Sequence, residues 1–188
     1  MKKWHFVALA LLVTLFALTR CGKSNLSWTE EVQVTGHGTV IVQRTAKTKA
    51  FGEIGGPGGW ENEGMTVEII KPDLKDKPPV WNFPFVPLLF DQDPQTKQWF
   101  MVATFISCTS WYELGRPKLP YTEYRVKDGH WVQQALSPEL IGRVGNMLTS
   151  IRSGGEPNHT LASKAAIMAR PTIAPEYLRI VDKWSTGC

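Results

Sequence analysis

The residue patterns predict an α+β domain: a mostly antiparallel β-sheet built from hairpins, with short helices in the C-terminal third. Three observations carry this. Apolar residues alternate with polar ones around a glycine-bounded turn near residue 36. An Asp-Gly pair, Asp128-Gly129, sits between apolar runs. After Ser137 the apolar spacing changes from two to three or four.

The first hairpin spans residues 28–45. Val32 and Val34 alternate before the turn and Val40 and Val42 after it, with Ile41 on the opposite face. Gly36 and Gly38 supply the positive φ that a tight turn needs. Residues 51–64, FGEIGGPGGWENEG, read as a glycine-rich connection into the strand MTVEII, which Pro72 ends. PPVWNFPFVP carries four prolines within ten residues. Lacking those amide donors, it is neither an interior strand nor a helix, and is expected as an extended segment packing its aromatic side chains onto the domain. A second hairpin joins residues 88–90 to residues 99–106 through an Asp-Pro turn. A third, residues 122–136, has Asp128-Gly129 at its tip, the strongest short-range hairpin signal.

Beyond it, Ser137-Pro138-Glu139 offers an N-cap hydroxyl, a first-turn proline and a carboxylate near the positive helix end. Leu140, Ile141, Val144, Leu148 and Ile151 share a helical face that Gly154 and Gly155 terminate. Gly142 and Gly145 weaken such a helix. Thr160 is placed to cap a second helix ending before Pro171. Pro175 opens a third, with Tyr177, Leu178, Val181 and Trp184 on one face.

The N-terminus has its own chemistry. Lys2 and Lys3 precede residues 6–18, in which Thr14 is the one polar side chain. Thirteen residues fall short of the ~20 that cross a bilayer as a helix, and a positive end with a short apolar core describes a secretory signal. The segment closes with Leu18-Thr19-Arg20-Cys21. This resembles the lipobox of bacterial lipoproteins: an apolar residue, a tolerated Thr19, and a cysteine directly after the apolar core. Arg20 stands where the pattern has a small residue.

The resemblance covers residues 1–21 and implies diacylglyceryl transfer to Cys21, removal of residues 1–20 and a membrane-tethered protein of the bacterial envelope. The expected division is a signal peptide over 1–20, a lipidated tether over 21–27 and one globular domain over 28–188. Two or more acyl chains give stable attachment where one does not. Gly22, in place of the aspartate that marks inner-membrane retention in enteric-type bacteria, points to the outer membrane, facing the periplasm.

Removing residues 1–20 takes away three basic residues and no acidic one. The count of 21 lysines and arginines drops by those three against 17 carboxylates, so the formal charge falls from +4 to about +1. A near-neutral domain offers no electrostatic case for binding nucleic acid. With Cys21 acylated, Cys108 and Cys188 remain. In an exported chain they are expected to form one disulfide closing about 80 residues, stabilising by roughly 3 to 4.7 kcal/mol on chain entropy.

Known catalytic and metal motifs are not matched. The glycines of residues 52–59 fit neither dinucleotide nor P-loop spacing. Asp91-Gln92-Asp93 starts like a calcium loop but lacks the later ligands. His37, His130 and His159 have no zinc-type spacing, and His159 reads as a polar-loop residue. No cofactor and no metal is therefore expected.

Two aromatic-acidic stretches stand out as a partner-binding surface: Trp60, Glu61 and Glu63 in one, Trp111, Tyr112, Glu113 and Arg116 in the other. The expectation is a non-enzymatic binding or structural role, with an envelope protein, a toxin or a cell-wall glycan as partner. The alternative is a periplasmic hydrolase or carbohydrate-active enzyme. That would need Glu61 or Glu63 to face Glu113 across a cleft at about 5 to 9.5 Å.

Overall fold

A computed structural model describes residues 23–51, 59–105, 108–149 and 157–185. The chain is mostly antiparallel β-structure arranged as two sheets. In the first, β1 (Lys23–Val34), β2 (Gly38–Phe51), β3 (Gly59–Lys71) and β4 (Trp81–Phe83) form an antiparallel succession. A two-residue β9 (Asn158–His159) adds to β1 in parallel, giving the order β4-β3-β2-β1-β9. The second sheet is an antiparallel meander of β5 (Val86–Gln92), β6 (Trp99–Thr104), β7 (Tyr121–Lys127) and β8 (His130–Gln134).

The period-two reading of the first hairpin holds: Val32, Val34, Val40 and Val42 are buried and Ile41 is not. They meet Phe90, Trp99, Met101 and Tyr124 of the second sheet in one continuous core. Asp128 (φ 50°) and Gly129 (φ 75°) both take the left-handed conformation that a two-residue hairpin turn requires.

The second sheet is covered on its other face too. Leu88, Leu89, Phe100, Val102 and Tyr121 pack there against Leu140 and Ile180 of the C-terminal segment. β5 and β6 are accordingly buried along their whole length, without alternation. Tyr121 clips this cover in place. Its hydroxyl lies 3.0 Å from the carbonyls of Glu176 and Arg179, which share its proton, and accepts from the Val181 amide at 3.2 Å. Burial pushes the phenol up to about 12.

Several expectations are corrected. Residues 23–27, assigned to the tether, are strand, in register with β2 from Lys23 opposite Lys49 to Ser27 opposite Thr45. Residues 59–64, read as connection, begin β3, whereas residues 52–58 lie outside the described residues. The proline-rich segment is no interior strand, as expected: β4 and β5, to which it contributes, are both sheet edges. Pro87 sits at a register shift in β5, the kind of place where a strand tolerates proline.

The helices differ most. α1 (Cys108–Glu113) lies mid-chain, outside the C-terminal third. α2 (Leu161–Met168) is the expected second helix, and the Thr160 hydroxyl accepts from the Ser163 amide at 3.2 Å as its cap.

The expected first helix is a single 3-10 turn, Pro138–Leu140, with no side-chain cap from Ser137. Gly142 turns to φ 87°, and no helix follows over residues 143–149. The amides of Gly142 and Gly145 bond to the carbonyls of Ile180 and Leu178, both at 2.8 Å, and those of Asn146 and Met147 to Leu88. These cross-chain partners replace the helical ones. The third helix also reduces to one 3-10 turn, Pro175–Tyr177, for the same reason. His159 is a buried β9 residue rather than a loop residue.

Candidate functional site

β1, β2 and β3 run 12, 14 and 13 residues, whereas the strands of the second sheet run five to seven. At the turn end of β1 and β2 the sheets meet: the Thr35 amide donates to Asp91 at 2.6 Å, and His37 stacks on Trp99 at 5.1 Å. At the other end the first sheet outruns the second, and its inner face needs another cover. That end opens into a cavity of about 490 Å³, within the ~300–1,000 Å³ of small-molecule sites.

Leu26 and Trp28 of β1, Arg44, Ala46 and Thr48 of β2, and Met65 of β3 form its floor. Val86 lines it from β5; Leu148, Thr149, Thr172, Ile173, Ala174 and Tyr177 roof it from the C-terminal segment. Exposure grades along the strands. Leu26 and Thr48 are half-buried at the mouth, and Trp28 and Arg44 are buried at the inner end.

The inner end is charged. Arg44 and Glu30 are both fully buried and paired at 2.6 Å, and Lys164 of α2 reaches the other Glu30 oxygen at 2.9 Å. Arg44 also donates to the Leu148 carbonyl at 2.6 Å, while the Leu148 amide donates to Glu30 at 3.0 Å. Lys164 adds bonds to the carbonyls of Glu31 and Asn146. The three side chains thus fasten the roof and α2 to the first sheet.

Burial alone would raise the Glu30 carboxyl, but Arg44 and Lys164 overcome it and hold it below the usual carboxylate range. For Lys164 and Arg44 the balance is reversed: burial lowers both despite Glu30. The Arg44 guanidinium lies 4.7 Å above the Trp28 ring. Arg44 Nε and Trp28 Nε1 are buried without hydrogen-bond partners.

A second cleft, about 430 Å³, lies at the opposite end beside Thr35, Asp91 and Arg143. Its polar groups satisfy one another. Asp91 accepts from the Thr35 amide and hydroxyl and from Arg143 at 2.5 Å, and Asn146 bridges to the Phe90 backbone. It works as a clamp between the sheets.

The two aromatic-acidic stretches are described only in part. The side chains of Trp60 and Glu61 lie outside them, although the backbone of both is in β3, opposite Ala50 and Lys49. Glu63 is exposed on the first sheet and Glu113 at the end of α1; neither lines a cleft described here. Trp111 turns inward, donating to the Pro117 carbonyl at 3.1 Å, while Arg116 lies outside over Tyr112 at 5.0 Å.

Cys21 and Cys188 are outside the described residues. Cys108 opens α1. Trp184, four residues before Cys188, packs against Trp111 of the same helix at 6.4 Å and against Phe105 at 5.6 Å.

The charged end of the cavity was not among the sequence candidates, though two of its three charges carry a signal there. Extending the alternation of Val32 and Val34 back to Glu30, and of Val40 and Val42 on to Arg44, points both charges inward. Lys164 carries no comparable signal. The chain matches no known family, curated protein or solved structure.

Proposed function

We propose that this is an exported protein, held at the bacterial envelope membrane by lipid on Cys21, whose sandwich binds an apolar small molecule between its sheets without transforming it. The observation that carries the binding role is the 490 Å³ cavity at the overhanging end of the first sheet. Its floor and roof are largely aliphatic and aromatic, the composition of small-molecule sites. None of its described lining residues is a carboxylate, which favours binding over the acid–base alternative.

The anchor and the cavity fit together. β1 starts two residues after Cys21, and Leu26 at the cavity mouth follows closely, so a lipid on Cys21 would set the mouth beside the bilayer. The outer membrane remains the favoured leaflet on Gly22 alone. We also propose that Cys108 pairs with Cys188. Docking of Trp184 on α1 supports this, because Trp184 precedes Cys188 by four residues and its partner Trp111 follows Cys108 by three.

Intact mass and non-reducing peptide mapping of native protein test anchor and cross-link together. A lipid-sized increment on a chain beginning at Cys21, and one peptide joining Cys108 to Cys188, are expected. An unmodified chain beginning at Met1 defeats the first proposal, and two free thiols defeat the second.

Binding is tested on the full-length Cys21→Ser chain with N-phenyl-1-naphthylamine, a neutral apolar fluorophore. Saturable binding at one site is expected. Ala46→Trp, which fills the floor, and Thr172→Trp, at an exposed part of the rim, should each weaken it by about tenfold or more. Retention of binding by both variants, with native circular dichroism, rules the cavity out.

A further inference from the structure

Resting on the cavity reading, we propose that its occupant is a single-chain amphiphile with an oxyanion head, a long-chain carboxylate or alkyl phosphate, that enters head first. Two independent observations point there. The first is an inventory of donors. A guanidinium carries five N–H groups. On Arg44, Nη1 uses two on Glu30 and Leu148, Nη2 meets only the weakly accepting sulfur of Met65, and Nε has no partner. Trp28 Nε1, on the ring beneath that guanidinium, is also unpartnered. Trp28 Nε1 and Arg44 Nε are thus donors without acceptors, in a buried setting where each unmet bond is costly.

The second is charge. Glu30 supplies one negative charge against the two positive charges of Arg44 and Lys164, all three side chains being buried. Half-buried Glu31 flanks Lys164, but its carboxylate accepts from the Leu161 amide on the α2 side. Among the fully buried groups one positive charge is therefore in excess, which a ligand oxyanion would offset while meeting the unused donors.

Placement sets the orientation. Arg44 lies four residues further in along β2 than Thr48, or ~13 Å of strand. The intervening wall, with Ala46 and Leu26, is apolar. An amphiphile that fits has its oxygens inside and its chain running outward to the mouth.

Displacement of N-phenyl-1-naphthylamine from the full-length Cys21→Ser chain by oleate, oleyl phosphate and oleyl alcohol tests this, below the concentrations at which they aggregate. Oleate or oleyl phosphate should bind about tenfold or more tighter than the alcohol. Trp28→Phe keeps the ring over which Arg44 lies and deletes one donor. It should weaken the anionic ligand several-fold and the alcohol by clearly less, a split that a merely structural role does not produce. Equal binding of alcohol and anions, or equal losses in Trp28→Phe, overturns the oxyanion assignment while the cavity stands. Failure of the fluorophore to bind at all overturns both.

Discussion

Glu30→Gln is expected to destabilise the protein by ~3–5 kcal/mol, seen as a fall in Tm of about 10 °C or more. The substitution is nearly isosteric, so the cost comes from charge. Arg44 and Lys164 are as buried as Glu30, and the amide leaves two uncompensated cations between the sheets. It also weakens the acceptor for the Leu148 amide, which anchors the cavity roof. Replacing all three charges by apolar side chains, Glu30→Leu with Arg44→Met and Lys164→Met, should recover most of the loss. A buried ion cluster costs desolvation that hydrophobic contacts do not. A single variant as stable as the parent would show that the cations are already neutralised by other means.

The same cluster fixes a pH dependence. The Glu30 carboxyl is held below its ordinary value of 4.5, so the folded state binds that proton less readily than the unfolded one. Its contribution is complete above pH 4.5 and is lost as pH falls through the lowered folded value. Lys164 is held below 10.5, chiefly by burial, so its charged form is the one the fold disfavours. That penalty is relieved as pH rises through its lowered value toward 10.5. Glu30→Gln should therefore flatten the acid limb of stability against pH.

Sequence patterns were informative where local chemistry and tertiary structure agree. The alternation around Gly36 and Gly38, and Asp128-Gly129, encode their hairpins within a few residues, because turn geometry and face of burial are both local properties. They misled where distant partners decide. Leu140, Ile141, Val144 and Leu148 have helical spacing, yet Leu140 and Leu148 are buried while Val144 is 57% exposed. The amides there bond to Ile180, Leu178 and Leu88, residues that no local window contains. The cavity was illegible for a similar reason. It exists because three long strands outrun a shorter sheet, and the extra length of β3 hides in a glycine-rich stretch that reads as loop. Once β1 and β2 are extended in phase, Glu30 and Arg44 are legible; Lys164 comes from a helix more than 100 residues away.

Among the described glycines, Gly145→Ala should be the most damaging substitution, costing ~3 kcal/mol, at the upper end for overpacking. A Cβ there would stand 2.6 Å from Leu88 Cδ1 and 2.9 Å from the Leu88 carbonyl oxygen. Leu88 has nowhere to go. Its side chain is fully buried in the second core cluster, and its carbonyl accepts from both Asn146 at 3.0 Å and Met147 at 3.1 Å. Relief must come from residue 145 itself, which stretches its own bond to Leu178 and drags the chain that follows. Leu148, three residues on, carries the carbonyl to which Arg44 donates, so the shift reaches the cavity roof. Weaker N-phenyl-1-naphthylamine binding should accompany the lost stability. Gly142→Ala is the control: its φ of 87° strains any other residue, but no atom lies within 4 Å of the added carbon. It should cost only the ~1–2 kcal/mol of a left-handed conformation and leave binding intact. Equal losses for the two in urea denaturation would mean that Leu88 gives way and that its close approach does not reserve position 145 for glycine.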